Sequence, residues 1–207
     1  GSVRHELSIG ITANRYRERP ADLQAYNWVG TSNMFEPVVL PADPSMADTN
    51  TDADTRSREI HIHDAMQLTD RLSLWVGLRH TRIEQSSIRT DGTEGLSLEQ
   101  SFTTPWAALG LKVGARGFAY VSAGEGVETE SVPNRPQDYV NYGQALEATV
   151  SRQVEIGWRQ QLENGGLFSL TLFQTDKPFA DDVEQADGSV LRVAGAREAR
   201  HRGLELG

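Results

Sequence analysis

The connections between the amphipathic segments of this sequence alternate between long and short, and this alternation constrains the fold more than any other feature. The long connections are polar, and they cover residues 15–55, 84–103, 125–148 and 178–189. The short connections cover residues 67–71, 113–117 and 163–166. Short turns at one edge of an antiparallel sheet and longer loops at the other are typical of an outer-membrane β-barrel.

Each amphipathic segment alternates with the period of a β-strand. In residues 72–82, for example, Leu74 and Val76 lie on one face, and Gly77 and Arg79 lie on the other. The same pattern predicts strands near residues 5–14, 57–67, 105–113, 117–123, 153–161, 167–175, 190–194 and 200–207. We therefore expect an all-β fold, an antiparallel meander of about eight or nine strands.

Composition narrows the class of protein. The formal net charge of −9 argues against a nucleic-acid partner, because phosphates require a basic surface. The chain has no cysteine, which excludes disulfides and thiolate metal sites. No apolar run reaches the roughly 18–20 residues of a membrane helix, although the strands of a β-barrel would not produce such a run. Gly1 and Ser2 are typical of a cloning scar, so we expect an excised segment.

A soluble β-sandwich that binds carbohydrate or protein is the alternative, because one polar and one apolar face would also suit that fold. The strand length, the alternating connections and the long loop over residues 17–55 favour the barrel. An enzyme is not expected, since the sequence contains no G-x-S-x-G, no H-E-x-x-H and no phosphate-binding loop. No cofactor is expected either.

Four motifs in order along residues 55–207 resemble the barrel of TonB-dependent outer-membrane receptors, particularly ferric-siderophore receptors. The first is LTDRLSLWVGLRHTR, with Gly77-Leu78-Arg79, and the second is the aromatic run Ala119 to Gly126 in FAYVSAGEGVE. The third is ALEATVSRQVEIGWRQ, and the fourth is GAREARHRGLELG. The residues of the last two motifs that match the family are Glu147, Glu155, Gly157, Gly195, Arg200, Gly203 and Glu205.

This resemblance implies a bacterial outer-membrane location and a 22-stranded barrel closed by an N-terminal plug. It also implies a siderophore-like ligand, outer-membrane lipid as a partner, and uptake driven by the TonB complex through a TonB box. Residues 3–207 would then form part of the barrel, with the plug and the last strands absent from this chain.

A calcium-loop pattern lies in the first long connection. In DTNTDADTRSRE, the residues Asp48, Asn50, Asp52 and Glu59 occupy positions 1, 3, 5 and 12 of the pattern. Ala53 replaces the glycine that the pattern requires at position 6. A solvated acidic loop would give the same spacing, and we favour that interpretation.

Two other groups of residues are candidates for binding. His61 and His63 share one face of a strand, a spacing that can bind a transition metal, with lumen-facing polar residues as the favoured alternative. Arg79 and Arg159 could bind an anionic iron chelate, although pairing with lumen carboxylates such as Glu155 is favoured. In the first long loop, aromatic residues could stack on a ligand, but a tucked loop is favoured; these residues are Tyr26, Trp28 and Phe35.

A part of a barrel has two open edges and an uncovered lipid-facing surface. In water, we expect this chain to pair its edges with another copy, or to curl so that the apolar face becomes a core. The side chains expected on that face include Leu74, Val76, Ile156 and Trp158.

Overall fold

Ten β-strands make up the regular structure of the residues that the structure describes. The computed structural model describes residues 3–24, 29–41, 48–89, 92–133, 135 and 137–207. The strands are β1 Arg4–Glu18, β2 Leu23–Gln24, β3 Asp48–Thr49, β4 Thr51–Gln67, β5 Leu72–Arg89, β6 Glu94–Val113, β7 Gly117–Glu128, β8 Thr149–Gln161, β9 Leu167–Glu184 and β10 Val190–Leu206. Among the residues described, no helix has the length and apolar character needed to cross a bilayer.

Eight of the strands form one antiparallel sheet in the order β1-β4-β5-β6-β7-β8-β9-β10, and β2 pairs with β3 in a short separate ladder. The predicted all-β meander is therefore confirmed. The described residues form no large second sheet that could pack against the first. The alternative of a soluble β-sandwich is wrong, because such a fold buries its apolar face between two sheets.

The register aligns apolar side chains into rows across one face of the sheet. One such row joins β5 to β10 through Leu74, Leu109, Val121, Ile156, Leu172 and Leu204. Most of these side chains are exposed, and Ile156 is 57% accessible. A continuous exposed apolar band on one face of a sheet is the surface that a β-barrel presents to lipid.

One rim of the sheet carries only tight turns, as predicted. These turns cover residues 68–71, 114–116 and 162–166. Gly114 and Gly165 take positive φ there, at 63° and 84°, a conformation that glycine adopts without steric cost. We call this rim the short-turn rim.

The opposite rim, which we call the loop rim, differs from the prediction. The connections over 19–50 and 129–148 are long, but those over 90–93 and 185–189 are tight. The expected long loops at 84–103 and 178–189 are wrong, because β5, β6, β9 and β10 continue through most of these residues. Beyond the apolar band, neither face of the sheet needs to be apolar. The strands continue there without the alternation of hydrophobicity from which a sequence predicts them.

The last strand contains a β-bulge. The sequence predicted two short strands at 190–194 and 200–207, whereas β10 runs without a break and shifts register against β9 between Val193 and Arg197. Gly195 lies within this shift at φ 66°. Glycine at positive φ is typical of a bulge that bends a strand without ending it.

The connection between β7 and β8 folds over β9 and β10, and we call residues 129–148 the cap. The cap contributes Val132 and Leu146 to a small buried cluster with Ala180 of β9. Val132 is 2% exposed.

At the adjacent β9–β10 turn, hydrogen bonds from the hydroxyl and amide of Ser189 hold the pKa of Asp187 below its usual range.

Candidate functional site on the polar face

The face opposite the apolar band carries polar and aromatic side chains along its whole width. On β4, Glu59, His61 and His63 point to this face at alternate positions. The rings of His61 and His63 stack with their centroids 6.4 Å apart. The ring of Trp106 on β6 follows, 6.5 Å from His63. Glu59, His61, His63, Arg79, Thr104 and Trp106 line a cavity of about 320 Å³.

Among the residues that line this cavity, Glu59 supplies a carboxylate on the polar face. Its Oε2 atom lies 3.8 Å from Nη1 of Arg79, and its Oε1 atom lies 3.7 Å from Nδ1 of His61. Thr81 also donates a hydrogen bond to Oε2 at 3.4 Å. Arg79 therefore has a carboxylate neighbour, but that neighbour is Glu59 and not Glu155.

A second cluster surrounds Tyr120 on β7. The Tyr120 hydroxyl donates a hydrogen bond to Glu155 and lies 3.3 Å from the hydroxyl of Thr171. The guanidinium carbon of Arg159 lies 5.6 Å from the centre of the Tyr120 ring. The expected pairing of Arg159 with Glu155 does not form in the described structure; Arg159 lies over the ring and exposes its charge. An exposed guanidinium beside an aromatic ring can bind an anionic ligand.

Glycines on the neighbouring strands allow these rings to lie flat against the sheet. A Cβ atom placed on Gly157 would lie 2.2 Å from Cε1 of Tyr120. A Cβ atom on Gly77 would lie 2.3 Å from Nε1 of Trp106. His61 covers Gly10 in the same way, so each of these strand pairs uses a glycine to seat a ring. The contribution of Trp106 was missed from the sequence, because only the register shows which glycine lies opposite a ring.

The calcium-loop residues do not converge in the described structure. Asp52 and Glu59 both lie on β4, where their odd separation places them on opposite faces. Oδ2 of Asp52 lies 3.3 Å from Nε of Arg19, and Oδ1 of Asn50 accepts a hydrogen bond from the Thr51 amide. The side chain of Asp48 lies outside the described residues, so the calcium interpretation stays a prediction.

The two histidines lack a third ligand within the part of the chain that the structure describes, where no group of three His, Asp or Glu residues could hold a metal ion. A metal at His61 and His63 also stays a prediction. In the first long loop, Tyr26 and Trp28 lie outside the described residues. Phe35 is 83% exposed, so the expectation of a tucked loop is wrong at this residue.

Comparison with known proteins shows which family model and which solved structures this chain matches. A family model described as "TonB dependent receptor-like, beta-barrel" matches residues 1–207. The ferric preacinetobactin receptor BauA from Acinetobacter baumannii has a similar structure, with a TM-score of 0.70 and 20% identity. The alignment covers 100% of this chain and 31% of BauA.

Two further solved structures are similar. The ferric-catecholate import receptor Fiu from E. coli K12 gives a TM-score of 0.71 at 16% identity, and the alignment covers 99% of this chain and 32% of Fiu. The alcaligin outer-membrane receptor FauA from Bordetella pertussis gives 0.60 at 20% identity, covering 75% of this chain and 27% of FauA. At these identities the likeness shows the fold alone. The chain spans about a third of the length of BauA and Fiu.

Proposed function

Because this chain belongs to the TonB-dependent receptor β-barrel family and is part of a bacterial outer-membrane barrel, we propose that it forms wall strands of a receptor for iron-chelate uptake. The ligand proposed is a ferric siderophore or a similar chelate. The family is one of receptors and transporters rather than enzymes. The similar structures are named as receptors for ferric preacinetobactin and ferric catecholates, which supports an iron chelate as the ligand here.

The observation that carries the proposal is the exposed Arg159 beside Tyr120 on the polar face. In a closed barrel this face lines the lumen, since the apolar face must meet lipid. A guanidinium there donates charge-assisted hydrogen bonds to an anionic chelate, and the aromatic rings of Phe118 and Tyr120, stacked 6.3 Å apart, offer a flat surface beside it.

In the proposed mechanism, the cap and the first long loop meet the ligand outside the cell and the polar face receives it. Energy is supplied by the TonB complex through a plug and a TonB box in other parts of the receptor. In the described structure, β1 has one edge that pairs with no strand, and the outer edge of β10 is bonded only by the cap, at Val190 and Arg192. We propose that residues 3–207 continue on both sides into the rest of the barrel wall.

Uptake of radiolabelled ferric chelates tests the proposal in cells that carry the full-length receptor and lack other iron receptors. We expect the wild type to restore uptake, and Arg159→Gln to lower uptake about tenfold at limiting chelate, since a charge-assisted hydrogen bond is lost. The matched control is Arg202→Gln, because Arg202 lies on the apolar face, where its Nε donates to Gln174.

The outcomes separate the function from the site. If wild-type cells take up no ferric chelate, the receptor function is wrong. If wild-type uptake occurs and Arg159→Gln leaves it unchanged, the function stands and the role of the Tyr120 cluster is wrong. A loss as large in the Arg202→Gln control would show a general effect on the barrel.

A further inference from the structure

The pairing of β6 with β7 ends before either strand does. In the described structure, their last register pair toward the loop rim is Trp106 with Gly124, although both strands continue beyond it. The next residue of β6 on that side is Pro105. Proline has no amide hydrogen to donate, and Pro105 keeps its register with Leu78 of β5 while the pairing with β7 is lost. The wall therefore divides between Pro105 and β7, and we call this division the gap.

Cavities on the two faces of the sheet meet at the gap. Trp106 lies on the polar face, where Gly77 seats its ring. Glu125 has a register position on the apolar face, four residues from Val121 of the apolar band. Both Trp106 and Glu125 line the polar-face cavity of about 320 Å³, and both also line a groove of about 490 Å³ on the apolar face. Residues on opposite faces share their cavities where neighbouring strands are not paired, so the gap leads from one face of the wall to the other.

The groove on the apolar face, which we call the outer groove, is apolar where the gap opens into it. Exposed residues without polar side-chain atoms line this part: Pro105, Ala107, Ala123 and Val154. Ala107 and Ala123 are register partners, and the next pair on the same face is Leu109 with Val121 of the apolar band. The larger side chains of the band thus give way to two methyl groups at the gap. This part of the outer groove faces lipid tails in a barrel.

The polar-face cavity has the opposite character. The side chain of Arg79 is 50% exposed, and its carboxylate neighbour Glu59 is 3.8 Å away, so the guanidinium has donors left for an anionic group. The cavity also lies nearer the loop rim than Tyr120, which is four residues from Gly124 along β7. A chelate that enters from the loop rim would therefore reach this cavity before it reaches the Tyr120 cluster.

We propose that the gap binds the alkyl tail of an amphiphilic ferric chelate. The anionic head lies in the polar-face cavity beside Arg79, and the tail passes between Pro105 and Glu125 into the outer groove. A molecule with a polar head and an apolar tail matches the polarity of both cavities and the passage between them. The tail then ends among lipid tails and leaves no apolar surface in the water-filled lumen. This inference rests on the proposed function and specifies the class of chelate.

Two ferric tris-catecholates with the same anionic head test the gap. Both are built on spermine, in which three nitrogens carry dihydroxybenzoyl groups and one terminal nitrogen carries either an acetyl or a dodecanoyl group. Equilibrium binding of the radioiron-labelled probes is measured on outer membranes that contain the full-length receptor. Binding to membranes without the receptor is subtracted, which removes the partition of the dodecanoyl probe into lipid.

Filling the outer groove should affect the dodecanoyl probe alone. We expect Ala123→Trp to weaken binding of the dodecanoyl probe about tenfold, because the indole blocks the groove and leaves the tail in water. Binding of the acetyl probe should not change. The matched control is Val121→Trp, since Val121 lies two residues away on the same face of β7, is 46% exposed and does not line the groove. This control should bind both probes as the wild type does.

The outcomes separate the gap from the receptor function. The inference is supported if only the dodecanoyl probe is lost and only in Ala123→Trp. It is overturned if Ala123→Trp binds both probes as the wild type does, which would leave the gap to membrane lipid, or if it loses both equally. Uptake of the acetyl probe together with either of these results keeps the proposed function. A tail-specific loss in a receptor that takes up no ferric chelate keeps the gap as a tail site and refutes the proposed function.

A second variant keeps the test decisive if Ala123→Trp does not fold, as judged by heat-dependent gel mobility. Ala107→Leu fills the outer groove from β6 and makes a smaller change. The same tail-specific loss is expected in this variant, and equal binding of the dodecanoyl probe by Ala107→Leu and the wild type would overturn the inference.

Discussion

Replacing Arg192 should release the cap from the wall of the barrel. Arg192 on β10 donates hydrogen bonds from Nε and Nη2 to Oε1 of Glu130 in the cap, at 2.8 and 2.6 Å. Its Nη1 atom donates to Oδ1 of Asp182 on β9 at 2.7 Å. The Arg192 backbone also exchanges two hydrogen bonds with the side chain of Asn141. The guanidinium therefore joins the cap to two strands at once.

The size of the effect follows from these contacts. A hydrogen bond between charged groups contributes roughly 1.5–3 kcal/mol when water is largely excluded. The side chain of Arg192 is only 23% exposed, but those of Glu130 and Asp182 are 45% and 41% exposed and regain hydration when the arginine is removed. We therefore expect Arg192→Gln to lower the free energy of opening the cap by about 2 kcal/mol, or about 30-fold in the opening equilibrium.

Hydrogen–deuterium exchange measures this opening directly. The amide of Val140 in the cap donates to the carbonyl of Val190 on β10 at 2.9 Å, and it is free to exchange when the cap leaves the wall. We expect peptides from residues 129–148 to exchange about 30-fold faster in Arg192→Gln, while peptides from β4 and β5 do not change. The control is Arg135→Gln in the same cap, because Arg135 is 67% exposed and its contact with Asp138 is 3.9 Å long.

Unchanged exchange in Arg192→Gln would refute the reasoning. In that case the cap would be held by its buried cluster, and Val132→Ala would be expected to accelerate exchange in the same peptides. Equal acceleration in the Arg135→Gln control would show that any loss of charge loosens the cap.

Two further predictions concern the wall itself. Gly157→Ala should displace the Tyr120 ring and destabilise the barrel by about 1–3 kcal/mol. The measurement is the temperature at which the band of the folded barrel is lost on a gel, which should be lower in the variant. Gly124→Ala is its control, where the nearest heavy atom to a new Cβ is 3.3 Å away, and equal effects would contradict the ring-seating role. The isolated chain of 207 residues should self-associate in detergent-free buffer, because in the described structure β1 and the part of β10 beyond Arg192 have an open edge and the apolar band is uncovered. A strict monomer in gel filtration would contradict this expectation.

The candidate site shows which of its features could be predicted from the sequence alone. Alternation alone placed His61, His63 and Arg79 together on the polar face, because a strand turns successive side chains to opposite sides. It did not place Trp106 beside His63, since that contact depends on the registers of β4 with β5 and of β5 with β6. The register was also needed at Glu155. This carboxylate was expected to pair with Arg159, but the register brings the hydroxyl of Tyr120 to it.

The sequence by itself determined the strands and their faces within the apolar band, where water and lipid impose opposite requirements on alternate residues. Outside this band the requirement disappears, and the sequence no longer distinguishes a strand from a loop at 84–103 or 178–189. Only the tertiary structure decided the length of those strands and the folding of the cap. Each of these depends on backbone pairing and side-chain contacts between segments, and these leave no period in the sequence.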